Sequence, residues 1–206
     1  MKNDLNHFNY IYDTNYRKED MFLDLQNKKI ADEGLKLICK IQFTKLKRLD
    51  LENNNLKDIT TLSKSKTNLN ELKYLYLDKN NIININVFIN INLNNLESLN
   101  LSNNKINDIS IFEKANFNEL KYLYLDHNNI SDINVLYKAN FFLLIEMNLA
   151  NNKISDISVF DKVNFYQFDH LILKNNKINY RCAKNKDIIL SLLMKVKYIK
   201  VISIKC

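Results

Sequence analysis

From Leu96 to Phe112 the apolar and polar positions follow the pattern L-x-x-L-x-L-x-x-N-x-I-x-x-I-x-x-F. The same template starts at Leu46, Leu72, Leu120, Leu144 and Phe168, so successive copies lie 26, 24, 24, 24 and 24 residues apart. Self-similarity with a period of about 20–50 residues marks a solenoid. In the copy at Leu120, Leu123 and Leu125 alternate with Tyr122, Tyr124 and Asp126. Alternation at period two predicts a short, half-buried strand. Ile130, Ile133 and Leu136 complete an apolar wedge that one copy cannot bury alone. Stacked copies share one continuous core instead. The strands then form a parallel sheet on a concave side, and the return segments run down a convex side through right-handed crossovers.

The return segments, for example 108–116 and 156–164, begin with Asp108 and Asp156. Such residues cap short helical or 3₁₀ turns. The fold class is therefore α/β, a right-handed solenoid with a parallel concave sheet and short helical or 3₁₀ convex segments. Asn54, Asn80, Asn104, Asn128, Asn152 and Asn176 share one template position, at the sharp turn after each strand. An inward amide there pairs loop backbone groups that would otherwise be buried without partners, so the column reads as a structural ladder. Phe117, Phe141 and Phe165 share another position and read as a core spine.

The ends depart from the template. Residues 1–19 read as an N-terminal cap. Residues 20–45 read as a degenerate first repeat, in which Leu23, Leu25 and Ile30 fit, Lys28 replaces the ladder asparagine, and Asp32 is placed to cap a short helix with Leu35, Ile38 and Ile41 on one face. Residues 46–179 hold six repeats. Residues 180–206 read as a C-terminal cap, with an amphipathic helix from Asp187 to Met194 and a strand echo at Ile199, Ile202 and Ile204.

The recurring L-x-x-L-x-L-x-x-N-x-L core resembles the leucine-rich repeat family over roughly Leu23 to Ile178. The N-x-I-x-D-I-x-x-F continuation is similar to the internalin-like and phosphatase-regulator-like subclasses. Those favour a period of about 22 residues, inside the family range of about 20–29. This chain runs at 24, so no subclass is assigned. The resemblance implies a non-catalytic protein-binding module that takes its partner on the concave face, as a scaffold, an adaptor or a regulatory subunit. A phosphatase regulatory role rests on fold analogy alone.

Template positions that point out of the strands give, in order, Phe22, Asp24 and Gln26; Arg48, Asp50 and Glu52; Tyr74, Tyr76 and Asp78; Ser98, Asn100 and Ser102; Tyr122, Tyr124 and Asp126; Glu146, Asn148 and Ala150; and His170, Ile172 and Lys174. Acids outnumber bases, with only Arg48 and Lys174 opposing them. Tyr74, Tyr76, Tyr122 and Tyr124 form two pairs with Ser98 and Asn100 between them, Asp78 and Asp126 on the rim, and Glu146 and Asn148 beyond. Clustered tyrosines beside carboxylates suit the basic or apolar side chains of a partner protein.

The 206 residues carry a net charge of +7, with one glycine, no proline and no tryptophan, and with abundant Asn, Lys and Ile. This bias fits an AT-rich genome. A basic chain suggests nucleic acid or an anionic membrane. Arg181, Lys184, Lys186, Lys195, Lys197, Lys200 and Lys205 make the C-terminal cap the place for that alternative. The acidic concave face should instead repel phosphates, because nucleic-acid affinity rests on lysine and arginine.

Cys39, Cys182 and Cys206 form no disulfide framework, and Cys39 reads as a buried small hydrophobe. With no apolar leader, no membrane span and no C-terminal lipidation box, the expectation is a cytoplasmic protein. A single Gly34 excludes a glycine-rich phosphate loop, and no metal-ligand spacing appears, so neither cofactor nor metal is expected. His7, His127 and His170 are far apart, and the side chains of Asp126 and His127 are expected to diverge.

Overall fold

Each template copy folds as one turn of a right-handed parallel solenoid. The computed structural model describes residues 4–163, 167–179, 181–195 and 198–200. The three-residue strands are β1 (Phe22–Asp24), β2 (Arg48–Asp50), β3 (Tyr74–Tyr76), β4 (Ser98–Asn100), β5 (Tyr122–Tyr124), β6 (Glu146–Asn148), β7 (His170–Ile172) and β8 (Tyr198–Lys200). They form one parallel sheet in chain order. The register matches the template position for position, so Leu23, Leu49, Leu75, Leu99, Leu123, Met147 and Leu171 make one inward row. All seven are buried, as are the next inward residues from Leu25 to Leu173. Each such side chain contributes about 1.5–3 kcal/mol on burial, and it does so only because a neighbouring repeat covers it.

On the convex side run 3₁₀ turns at Thr60–Lys64, Asn86–Asn90, Ser110–Glu113, Asn134–Tyr137 and Ser158–Asp161. Two residues before the first residue of each turn, a side-chain oxygen of Asp58, Asn84, Asp108, Asp132 or Asp156 accepts from that first residue's N–H at 2.8 Å. These bonds favour the charged form and hold the Asp58 and Asp156 carboxyls below the ordinary range. Phe117 packs edge-on against Phe112 and Phe88, with ring centroids 5.8 and 6.1 Å away. Phe112 meets Phe141 at 5.4 Å. The aromatic column thus interleaves two template positions. Phe165 lies outside the described residues.

At the N-terminal end, α1 (Asp4–Tyr12) buries Leu5 and Phe8 over the first turn of the solenoid. The following helix, α2 (Ala31–Lys40), buries Leu35, Ile38 and Cys39. Asp32 does not cap α2. The helix starts one residue earlier, at Ala31, with no side-chain cap. The Asp32 Oδ1 instead accepts from the N–H groups of Lys57 and Asp58 at 2.8 and 3.2 Å, tying α2 to the next repeat.

At the other end, α3 (Ala183–Lys195) begins four residues before Asp187 and buries Ile188 and Leu192. Strand β8 pairs with β7 and includes Ile199. Ile202, Ile204, Lys205 and Cys206 lie outside the described residues.

Candidate functional site on the concave face

Strands of period two leave their other face to solvent. The register sets Tyr74, Ser98, Tyr122 and Glu146 in one row across the sheet, and Tyr76, Asn100, Tyr124 and Asn148 in the row beside it. The two tyrosines of a pair stand about 7 Å apart along a strand, and the two pairs about 10 Å apart across two strand spacings. All four tyrosines are half-buried, while Ser98 between them is only 5% exposed. The floor of the trough is therefore low and the walls are aromatic. Burial, and then the charge of Glu146, push the Tyr124 hydroxyl up to about 12. It stays a neutral phenol near neutral pH and can both donate and accept.

Asp78, Ser102, Asp126 and Ala150 follow just past the strand ends. Asp126 accepts a 2.5 Å hydrogen bond from Ser102 Oγ. It also lies 3.5 Å from His127 Nδ1, so these two side chains meet rather than diverge. The strand has ended at Tyr124, and His127 takes a left-handed φ of 56°, which turns its ring back. Asp78 is not on an exposed rim. It is 7% exposed, and burial, then Glu52 and Asp50, raise its carboxyl to about 6. Ser102 and Ala150 are buried as well.

The acidic surplus is smaller than the sequence count suggests. Arg48 donates to Asp50 Oδ2 at 2.7 Å, and Gln26 donates to the same oxygen at 3.1 Å. The Arg48 guanidinium also lies 4.9 Å from the centre of the Tyr76 ring. Lys79 reaches from the turn after β3 to Glu52 at 2.6 Å. Among the described residues, no lysine or arginine forms an ion pair with Asp24, Asp78, Asp126 or Glu146. Sequence reasoning places Gln26 and Arg48 on the concave face without pairing them with Asp50, and leaves Lys79 out. Arg48 and Asp50 are two apart on a strand, so their shared face was legible. The contribution of Lys79 depends on its own left-handed turn (φ 54°).

In the C-terminal cap, Arg181, Lys184 and Lys186 are exposed, while Lys195, Lys197, Lys200 and Lys205 have no described side chains. Cys39 is buried and Cys182 exposed, both free. Among the described residues no group of three or more His, Cys, Asp or Glu is placed to hold a metal ion. No described helix is long and apolar enough to cross a membrane.

Comparison with known proteins agrees with this architecture. Models of the leucine-rich repeat match residues 45–65 and, as two tandem copies, residues 94–138. No curated protein matches the chain. An internalin (inlF) from Listeria monocytogenes is similar over 78% of this chain, with 30% identity and a TM-score of 0.63. The chain spans 44% of that internalin's length. Internalin C2 from the same organism is similar over 96% of this chain and 91% of its own, with 21% identity and a TM-score of 0.62, a likeness of fold. A protein–protein interaction role is typical of such folds. The expectation of a cytoplasmic protein does not survive this comparison, because internalins are secreted or surface-associated bacterial proteins. That expectation rested on the spacing of the cysteines and on the reading of the first residues, and neither outweighs the likeness. In template, register and asparagine column alike, the chain belongs to the leucine-rich repeat family.

Proposed function

We propose that the chain binds another protein through its concave face, centred on Tyr74, Tyr76, Tyr122 and Tyr124, and acts as a scaffold, adaptor or regulatory subunit. The observation that carries this reading is the pairing itself. Two half-buried tyrosine pairs flank the low floor at Ser98 and Asn100, beside Asp126 and Glu146, with which no lysine or arginine forms an ion pair among the described residues. Tyrosine offers apolar area and a hydroxyl for little rotamer entropy, which is why it concentrates binding energy at interfaces. The partner presents basic or apolar side chains.

The test compares the wild type with a variant carrying Tyr→Ala at all four positions, each checked for folding by circular dichroism. A protein captured by the wild type should bind the variant more than about tenfold more weakly, a loss of at least about 1.4 kcal/mol. Affinity within that factor rules out the trough. If both proteins retain the same ligands and release them as salt rises, the function moves to the basic C-terminal cap.

A further inference from the structure

The chain contains its own example of what fills an aromatic seat on this face. Arg48 on β2 stands over the Tyr76 ring on β3, fixed by Asp50 on its own strand. Two repeats further on, the same four positions hold Ser98, Asn100, Tyr122 and Tyr124 in place of Arg48, Asp50, Tyr74 and Tyr76. The tyrosine pair is repeated, but a small serine stands where the arginine stood. The backbone frame is repeated too. Asp50 Oδ1 accepts from the N–H of Glu52 at 3.2 Å, and Asn100 Oδ1 accepts from the N–H of Ser102 at 3.0 Å. Asn100 therefore holds the place of Asp50, without its charge. Among the described residues, cations lie over the rings of Tyr76 and Tyr137 but not of Tyr122 or Tyr124.

We infer that the seat formed by Ser98, Asn100 and Tyr124 receives an arginine side chain of a partner protein, stacked over the Tyr124 ring as Arg48 is over Tyr76. The inference deepens the concave-face reading and rests on it. Arginine is preferred to lysine because a planar guanidinium stacks on an aromatic face and keeps its donors free at its edge. At the seat the guanidinium meets the field of Asp126 and Glu146, neither of which has a lysine or arginine ion-pair partner among the described residues, while the Asn100 oxygen holds the N–H of Ser102. An apolar side chain would leave those carboxylates uncompensated. A lysine would bring charge but no plane to stack.

The probe is acetyl-Gly-Arg-Gly-amide, with the neutral citrulline analogue as control, titrated to about 10 mM, a range that suits one weak side-chain contact. The readout is the ring resonances of tyrosine-labelled full chain. The arginine peptide should shift Tyr122 and Tyr124 saturably, and the citrulline peptide should not. N100D puts a carboxylate oxygen, an acceptor, where Asn100 presents its Nδ2 donor, and should tighten binding by about three- to tenfold through a charge-assisted hydrogen bond. S98R/N100D rebuilds the internal clamp, so the new side chain should fill the seat and abolish the shifts. Tyr124→Leu should abolish binding as well and covers the case in which the double variant does not fold. Equal shifts from both peptides, shifts that do not saturate at Tyr124, or undiminished binding by Tyr124→Leu would overturn the assignment. With a captured partner the two readings separate. Loss of the partner from the four-tyrosine variant but not from S98R/N100D overturns the arginine seat alone. Retention by both overturns the concave interface itself.

Discussion

Asn128 reaches back one full repeat to Leu101. Its Nδ2 donates to the Leu101 carbonyl at 2.9 Å and to the Leu125 carbonyl at 3.1 Å, while its Oδ1 accepts from the N–H of Ile106 at 2.9 Å. Each ladder asparagine repeats this clasp, from Asn54 on Leu25 and Ile30 to Asn176 on Leu149 and Ile154. The ladder joins neighbouring repeats, so its energy is interface energy between them. Asn128→Leu strands the Ile106 N–H in a buried site, while the Leu101, Leu125 and Asp126 carbonyls keep their bonds from Asn104, Asn152 and the N–H of Asn103. The expected loss is about 1–3 kcal/mol for the one group left unpaired. That corresponds to a drop of about 2–12 °C in melting temperature for a chain of this size. Calorimetry showing no change would contradict the structural role.

Gly34 sits in α2 where α1 crosses it. A Cβ added there would run into Tyr12 Oη and approach Ile30 Cγ2 to 2.8 Å. Tyr12 packs on Phe8 and its hydroxyl donates to the Ile30 carbonyl at 3.3 Å, so it cannot simply swing away. Alanine is the better helix former by about 0.5–1 kcal/mol. Overpacking costs about 1–3 kcal/mol and should win. Gly34→Ala should therefore lower stability by about 1 kcal/mol and speed hydrogen exchange in α1. Combining it with Tyr12→Leu should recover part of the loss, as contacting residues couple. Strictly additive effects in that double-mutant cycle would refute the clash.

The period made the strands, the sheet order and the ladder legible, because burial at period two and an asparagine at every turn are written in composition at fixed spacing. What stayed hidden depends on where the chain leaves the period. One residue before each ladder asparagine the backbone is left-handed, with φ between 53° and 57° at Asn53, Lys79, Asn103, His127, Asn151 and Asn175. Asparagine tolerates that conformation, which explains the recurring Asn-Asn pairs. At Lys79 and His127 it redirects a side chain toward Glu52 and Asp126. The capping pattern at Asp32 misleads for a related reason. The pattern is local, but the bonds of Asp32 go to the next repeat, 25 and 26 residues on. On the concave face, strand alternation named the tyrosines but could not show that Asp78 is buried, since its position lies beyond the strand end.

The burial of Asp78 makes stability depend on pH in an uncommon direction for a carboxylate. Its folded value, about 6, lies above its ordinary value of 3.8, because burial and the charges of Glu52 and Asp50 oppose ionisation. Between those values the folded chain binds more protons than the unfolded chain, so stability falls as pH rises through the window. The penalty is complete above about pH 6 and amounts to on the order of 2–3 kcal/mol. Asp78→Asn removes the titration while keeping the shape. Its stability relative to wild type, from urea unfolding, should therefore rise by on the order of 2–3 kcal/mol between about pH 4 and pH 7. Glu97, held below its ordinary range by Lys73 and Lys121, titrates with the opposite sign in both proteins and cancels in the difference. A difference that stays flat across that range would mean that Asp78 ionises as freely folded as unfolded, and that the wall of the trough is open to water at this point.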